Sequence, residues 1–345
     1  MATWTPFAKR WTSLAAIIAA GGLLMALARY LEHPTGPQST KPIALTTPMT
    51  RPGDPAKSGN DARASISGKP RDPARIAEIN KIKDSLFLIT NGGGNTLAFV
   101  TAKGVLLVDT KFDGWGPTIA DKIRSVTQKS VTTIVDSNPS VDHTGSNDFF
   151  VPGAEIIAQE NTRANMARLA LFQGDRARAL PKRTYADKMS LFDGKERVEL
   201  RHLGVGTTNG DTVVVFPELR VAYLGDLFPG KMLPAIDTAN GGSGVALPET
   251  LERIVSEIKD IDIFVTGHGA PMTPSDVRDY ARFNKDFLSA VQKAAKNGKT
   301  TDQIAAEWTL PDKHRTYMVD PTRLRANIKS IVDELKLESK SKPKQ

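Results

Sequence analysis

Short apolar runs broken by Gly, Asn, Asp and Pro clusters alternate with longer stretches of helical spacing, a layout that predicts an α/β domain. Leu86–Thr90 and Thr96–Val100 flank Asn91-Gly92-Gly93-Gly94-Asn95, residues that tolerate positive φ, so the two runs predict a hairpin. The glycines do not complete a phosphate-binding G-x-G-x-x-G loop and are read as turn residues. Val105–Asp109 is a further strand, and Pro117–Val126 places Ile119, Ile123 and Val126 on one helical face behind a proline suited to a first turn. Val131–Val135 and Glu155–Ala158 read as strands, Asn161–Phe172 as an amphipathic helix, and Gln173–Lys188 as an irregular Arg-rich stretch. In the second half Val198–Leu203, Thr212–Phe216, Arg220–Leu224 and Ile261–Val265 are strand-like, and a long loop, Leu227–Leu247, separates two of them. Loops of that length are often functional, so it is the candidate substrate gate. Helices are expected over Pro248–Ile258, from Pro274 to about Lys296, over Thr301–Trp308 and over Pro321–Leu337. Strands then helices, twice over, fit a four-layer αββα sandwich spanning 75–273, with a C-terminal helical extension and basic tail over 274–345.

The start of the chain has a different texture. Lys9 and Arg10 precede an apolar stretch, Leu14–Ala28, that ends in the small-x-small shape of a signal-peptidase site. Residues 1–30 therefore read as a signal peptide or, because bulky Arg29-Tyr30 follow the cut, as an uncleaved membrane anchor. Residues 31–74 are rich in Pro, Thr and Lys, cannot bury enough surface to fold, and read as a disordered linker. The expected location is exported, periplasmic or extracellular, or tethered to the membrane through the N-terminal segment.

A net charge of +8 raises a nucleic-acid reading. The excess lies largely in the linker (Arg51, Lys57, Arg63, Lys69, Arg71, Arg75) and in the tail from Lys336 to Lys344, so no nucleic-acid partner is expected. Cysteine is absent, and any metal must be held by oxygen and imidazole nitrogen.

The candidate chemistry sits on strand ends. After Val131–Val135 an Asp-Ser-Asn-Pro-Ser break leads into Asp142 and His143; Asp226 follows Val221–Leu224; His268 follows Ile261–Val265. Carboxylates and imidazoles converging from such loops can hold a divalent cation. With these motifs in order (LLVDT at Leu106–Thr110, DHTGSN at Asp142–Asn147, TNGD at Thr208–Asp211, LGD at Leu224–Asp226, TGHG at Thr266–Gly269), the chain resembles the metallo-β-lactamase-fold hydrolases, which include glyoxalase II, over roughly Ile82–Pro274.

The resemblance implies two metal positions, and only one is filled. The family pattern H-x-H-x-D-H falls on Asn138-Pro139-Ser140-Val141-Asp142-His143, and the third first-metal histidine falls on Thr207. By the same resemblance Asp142, His143, Asp226 and His268 are the ligands of the second metal, and Asp109 is a structural carboxylate behind the metal loop. The expectation is a hydrolase with one Zn²⁺ per chain, activating water against an ester, thioester, lactam or lactone, with Asp142 or Asp226 taking the proton. A carbapenemase branch of the superfamily works with a single zinc in this position and carries Asn where Asn138 stands, but keeps the histidine that Ser140 replaces. Asn138, Ser140 and Thr207 are the candidate donors of a substitute oxyanion hole. The alternative is a catalytically degenerate relative acting as an envelope binding or scaffold protein. Arg176, Arg178, Lys182 and Arg183 are read as wet surface with a lesser claim on an anionic substrate; His202 is expected to be an exposed strand histidine and His314 a solvent-facing or packing one.

Overall fold

The computed structural model describes residues 76–341; the expected leader (1–30) and linker (31–74), with the end of the basic tail, lie outside the described residues. Two sheets stack face to face. The first has seven strands in sequence order: β1 (Glu78–Lys83), β2 (Leu86–Thr90), β3 (Thr96–Val100), β4 (Val105–Val108), β5 (Val131–Asp136), β6 (Glu155–Gln159) and β7 (Arg183–Tyr185). It is antiparallel up to β4 and parallel from β4 to β7. The second contains β8 (Lys188–Leu191), β9 (Val198–Arg201), β10 (Val213–Phe216), β11 (Val221–Tyr223) and β12 (Ile263–Val265), with β11 and β12 parallel.

Both sheets are covered on both faces, so their central strands are continuous apolar runs. In β4, Leu106 and Val108 enter the core between the sheets, beside Val214, Phe216, Val221 and Tyr223. The alternate residues Val105 and Leu107 turn outward to Ile119 and Ile123 of α1 (Gly116–Arg124). On the far side, Val213, Val215 and Ala222 meet α5 (Leu247–Glu257), α6 (Pro274–Lys296) and α8 (Pro321–Ser341) through Leu251, Ile254, Tyr280, Phe283, Ile328 and Ile331. The result is the expected four-layer αββα sandwich. Helix α6, started by a Thr273–Asp276 capping box and Pro274, shares this core, so the division drawn between 273 and 274 runs through packed side chains. A short α7 (Thr301–Glu307) completes the C-terminal helices.

The pattern misjudged four places. Strand β1 is charged and half-exposed, while β7 and the start of β8 lie in the Arg-rich stretch read as irregular. The helix expected over Asn161–Phe172 is α4 (Glu160–Met166) followed by a 3-10 turn, Ala170–Phe172. Met166 and Phe172 pack into one small cluster with Ala179, and six positions apart they face different sides of a straight helix, so the chain bends to bring them together. The loop expected to gate the site is instead clamped. Leu227, Phe228 and Leu233 are in the core, Arg323 and Asn327 of α8 donate to the Leu233 and Pro234 carbonyls, and Glu334 accepts from Ser243 and Gly244.

Candidate metal centre

The two parallel pairs, β4 with β5 and β11 with β12, end at the same rim of the sandwich, where the chain must leave each strand in a turn. Asp109 follows β4; Asp142 and His143 lie on α2 (Val141–Thr144), after β5 and ahead of α3 (Asn147–Phe150); Asp226 follows β11; His268 follows β12. Gly225, at φ +52°, makes one of these exits, and a β-carbon there would stand 2.8 Å from Ser137 Oγ, so glycine is required.

The four predicted ligand side chains converge. His143 Nε2 is 3.2 Å from Asp226 Oδ1 and 3.9 Å from Asp142 Oδ2; His268 Nε2 is 3.0 Å and 3.4 Å from the same two oxygens. Donors held by a tetrahedral zinc at about 2.0–2.1 Å stand roughly 3.3 Å apart, so the spacing and the oxygen–imidazole donor set fit one such ion. Asp142, His143 and His268 together form a cluster whose ligand atoms all lie within 4.8 Å of one another.

The electrostatics agree. Burial alone would push the His143 imidazole down, but Asp226, Asp109 and Asp142 outweigh it and hold the ring well above its ordinary value. Burial opposes ionisation of Asp226 too, yet the two imidazoles hold it well below the usual carboxylate range. Three carboxylates around two imidazoles attract positive charge, which a divalent cation supplies without protonating either ring.

Asp109 anchors the centre from behind. Its Oδ2 accepts from His143 Nδ1 (2.6 Å), Tyr223 Oη (2.7 Å) and Ser137 Oγ (2.7 Å), and its Oδ1 from Ser137 N (2.7 Å). This directs Nε2 of His143 forward, towards Asp142 and Asp226. Asp109 adopts φ +64°, an uncommon backbone state for a residue with a side chain.

Two supports escaped sequence reading. Lys111 is fully buried and donates to the Ile89 (2.9 Å) and Gly94 (2.7 Å) carbonyls; burial pushes it down to about 7. A lysine near a strand end carries no sequence signal of burial. The Asn91–Asn95 turn also does more than reverse the chain. Gly94 N donates to the Asp142 carbonyl (2.9 Å), Asn95 N to that of Gly267 (2.7 Å), and Asn95 Nδ2 to those of Thr266 and Gly269 (2.9 Å each), so the turn braces both ligand loops.

No family model matches the chain. Among curated proteins it is 29% identical over 217 residues to the 2,4-dinitroanisole O-demethylase subunit alpha of Nocardioides sp., covering 60% of this chain and 62% of that one. The chain thus spans less than two thirds of that relative's length. Among solved structures it superposes on a metallo-β-lactamase from Pontibacter korlensis (TM-score 0.54, 19% identity, 61% of this chain and 99% of the other). A stereoselective inverting sec-alkylsulfatase from Pseudomonas sp. superposes at TM-score 0.62, with 16% identity over 75% of this chain and 50% of the other. The chain has the metallo-β-lactamase fold.

Within the metallo-β-lactamase fold, two of the three positions expected to line an oxyanion hole, Thr207 and Asn138, have side chains engaged elsewhere. Thr207 donates to Asp211 (3.2 and 3.1 Å), a buried carboxyl that also accepts from Thr208 N and Oγ1. Burial pushes Asp211 up to about 7, opposed by those Thr208 and Thr207 donors. Thr207 is therefore turned inward. Asn138 Nδ2 donates to Asp226 Oδ2 (3.3 Å) while its Oδ1 receives Ser140 N (2.8 Å), which makes it a brace for Asp226. The Ser140 hydroxyl makes no capping bond. Of the four basic residues of the Arg-rich stretch, Arg176 forms two bonds to Asp113 and Arg178 two to Asp148. His202 is half-buried with Nδ1 beside the Asp211 carbonyl (2.9 Å), and His314 is buried against Phe283 with Nε2 on Asp286 (2.8 Å), a packing role.

Proposed function

We propose that the chain is a hydrolase that uses one divalent cation, Zn²⁺ in the first instance, held by Asp142, His143, Asp226 and His268. The observation that carries this reading is that His143 Nε2 and His268 Nε2 each stand 3.0–3.9 Å from Asp142 Oδ2 and Asp226 Oδ1, with Asn138, Ser140 and Thr207 where the resemblance puts the other metal position. When bound, the cation supplies a polarising charge that lowers the pKa of water towards about 7.

The chain's own groups divide the remaining work. Asp226 contacts both imidazoles through Oδ1 and Asn138 through Oδ2, so neither oxygen is free. Asp142 meets the imidazoles through Oδ2, which leaves Oδ1 to take the proton of the attacking water. Asp109 keeps His143 in the tautomer that presents Nε2 forward. The Ser140 hydroxyl is the group in the altered pocket left to donate to a developing oxyanion.

The substrate is a small molecule with a hydrolysable ester, thioester, lactam or lactone bond. The name of the Nocardioides relative refers to demethylation of 2,4-dinitroanisole, and it supports adding aryl ethers to that list. The test is turnover of chromogenic nitrophenyl esters, thioesters, a chromogenic lactam and nitroanisoles by zinc-loaded protein, chelator-stripped protein and Asp142→Ala. Turnover in the first alone supports the proposal. Zinc-loaded protein inert on every class, or turnover surviving both treatments, contradicts it.

A further inference from the structure

The three consecutive glycines of the hairpin turn bring three rings against three neighbouring Cα atoms. A β-carbon on Gly92 would lie 2.4 Å from the Trp115 indole, one on Gly93 3.0 Å from Phe112 Cδ2, and one on Gly94 2.6 Å from His143 Nε2. Gly92 and Gly93 also hold φ +81° and +111°, so side chains there are excluded twice over. The indole, the phenyl ring and the metal-facing nitrogen therefore each press on a different residue of one short piece of backbone. The same Gly93 β-carbon would meet the Asp142 carbonyl oxygen at 2.8 Å, so Phe112 stands immediately beside a ligand loop.

Phe112 is 45% exposed, and Val141, which directly precedes Asp142, is 41% exposed. Single exposed apolar residues are ordinary, but these two flank the same ligand loop, and apolar surface beside convergent polar groups is the composition of a ligand site. Arg176 and Arg178 are already paired with Asp113 and Asp148, so neither is left to favour an anionic group beside Phe112.

We propose that Phe112, together with Val141 of the ligand loop, is the subsite for a planar, uncharged apolar group, an aryl ring above all, attached to the reacting centre of the substrate. This rests on the metal reading of the neighbouring site. Aryl esters and aryl ethers then outrank short alkyl ones, and Phe112 sets that preference.

Acetohydroxamic and benzohydroxamic acids share a metal-chelating head and differ in a methyl against a phenyl group. Binding of each to zinc-loaded protein by calorimetry reads the subsite without turnover. The expected result is benzohydroxamate binding about tenfold more tightly, with the ratio falling to about twofold in Phe112→Ala and recovering in Phe112→Trp. Val126→Ala, an exposed apolar site beyond the far end of α1, leaves the ratio unchanged. Equal binding of both acids to the wild type, or a ratio untouched by Phe112→Ala, overturns the subsite while the metal reading stands. Failure of both acids to bind overturns the metal reading and the subsite with it. A change of oligomeric state in Phe112→Ala, seen by size-exclusion chromatography with no change in the ratio, assigns the rim to self-association and also overturns the proposal.

Discussion

Asp109 and Lys111 are buried charged side chains two residues apart with opposite tasks, and each makes a distinct prediction. Asp109 gathers three side-chain donors on one oxygen, so Asp109→Asn turns a carboxylate into an amide that cannot match them all. Zinc affinity should fall about 10- to 100-fold in competition with a chromophoric chelator, as is usual when the group behind a ligating histidine is changed. Unchanged affinity would mean that His143 is held by other contacts. Lys111 has a folded value of about 7, below its ordinary 10.5. Between those limits the unfolded chain binds a proton that the folded chain releases, so this residue makes stability rise with pH from about 7 to about 10, by at most ~5 kcal/mol. Between pH 7 and pH 9.5 the urea midpoint should therefore shift more favourably in the wild type than in Lys111→Met, a comparison that cancels the other titrating groups, and equal shifts would remove the assignment.

Among the elements, the glycine turn and helix α8 show most clearly what the chain's pattern discloses and what it hides. Strands β4, β5 and β10 are legible because both of their faces are buried, which forces unbroken apolar runs. Edge strands β1 and β7 lie at the two margins of their sheet and carry charge, so nothing in their composition separates them from a loop. The four candidate ligands were readable because each stands just past such a run. Lys111 and the bracing role of Asn95 were not, because their partners are backbone carbonyls, which any sequence supplies. The segment read as a gate failed for a related cause. Its length was visible, while the carbonyl contacts that fasten it to α8 were not. Truncation before Pro321 removes Ile328 and Ile331 from the core and frees those contacts, and the shortened protein should be insoluble or melt at least about 10 °C lower. A truncated protein melting with the full-length one would show α8 to be dispensable. At the turn, Gly94→Ala places a methyl where the His143 ring sits, and it should weaken zinc binding more than it lowers the melting temperature of the stripped protein.

For the whole molecule, the sandwich brings together loops from two sheets, and the centre exists only when both are docked. Asp142 and His143 come from the first sheet and Asp226 and His268 from the second, so bound metal ties the halves and should stabilise the fold by mass action. Asn138 and Thr207 have hydrogen-bond engagements of their own and Ser140 offers only a small hydroxyl, so the proposed function expects one metal per chain. Calorimetric titration of chelator-stripped protein with Zn²⁺ tests this most directly, with Asp142→Ala and His268→Ala titrated alongside. One equivalent per chain, lost or severely weakened in both variants, is the predicted result; two equivalents, or none in a folded wild-type protein, would contradict it.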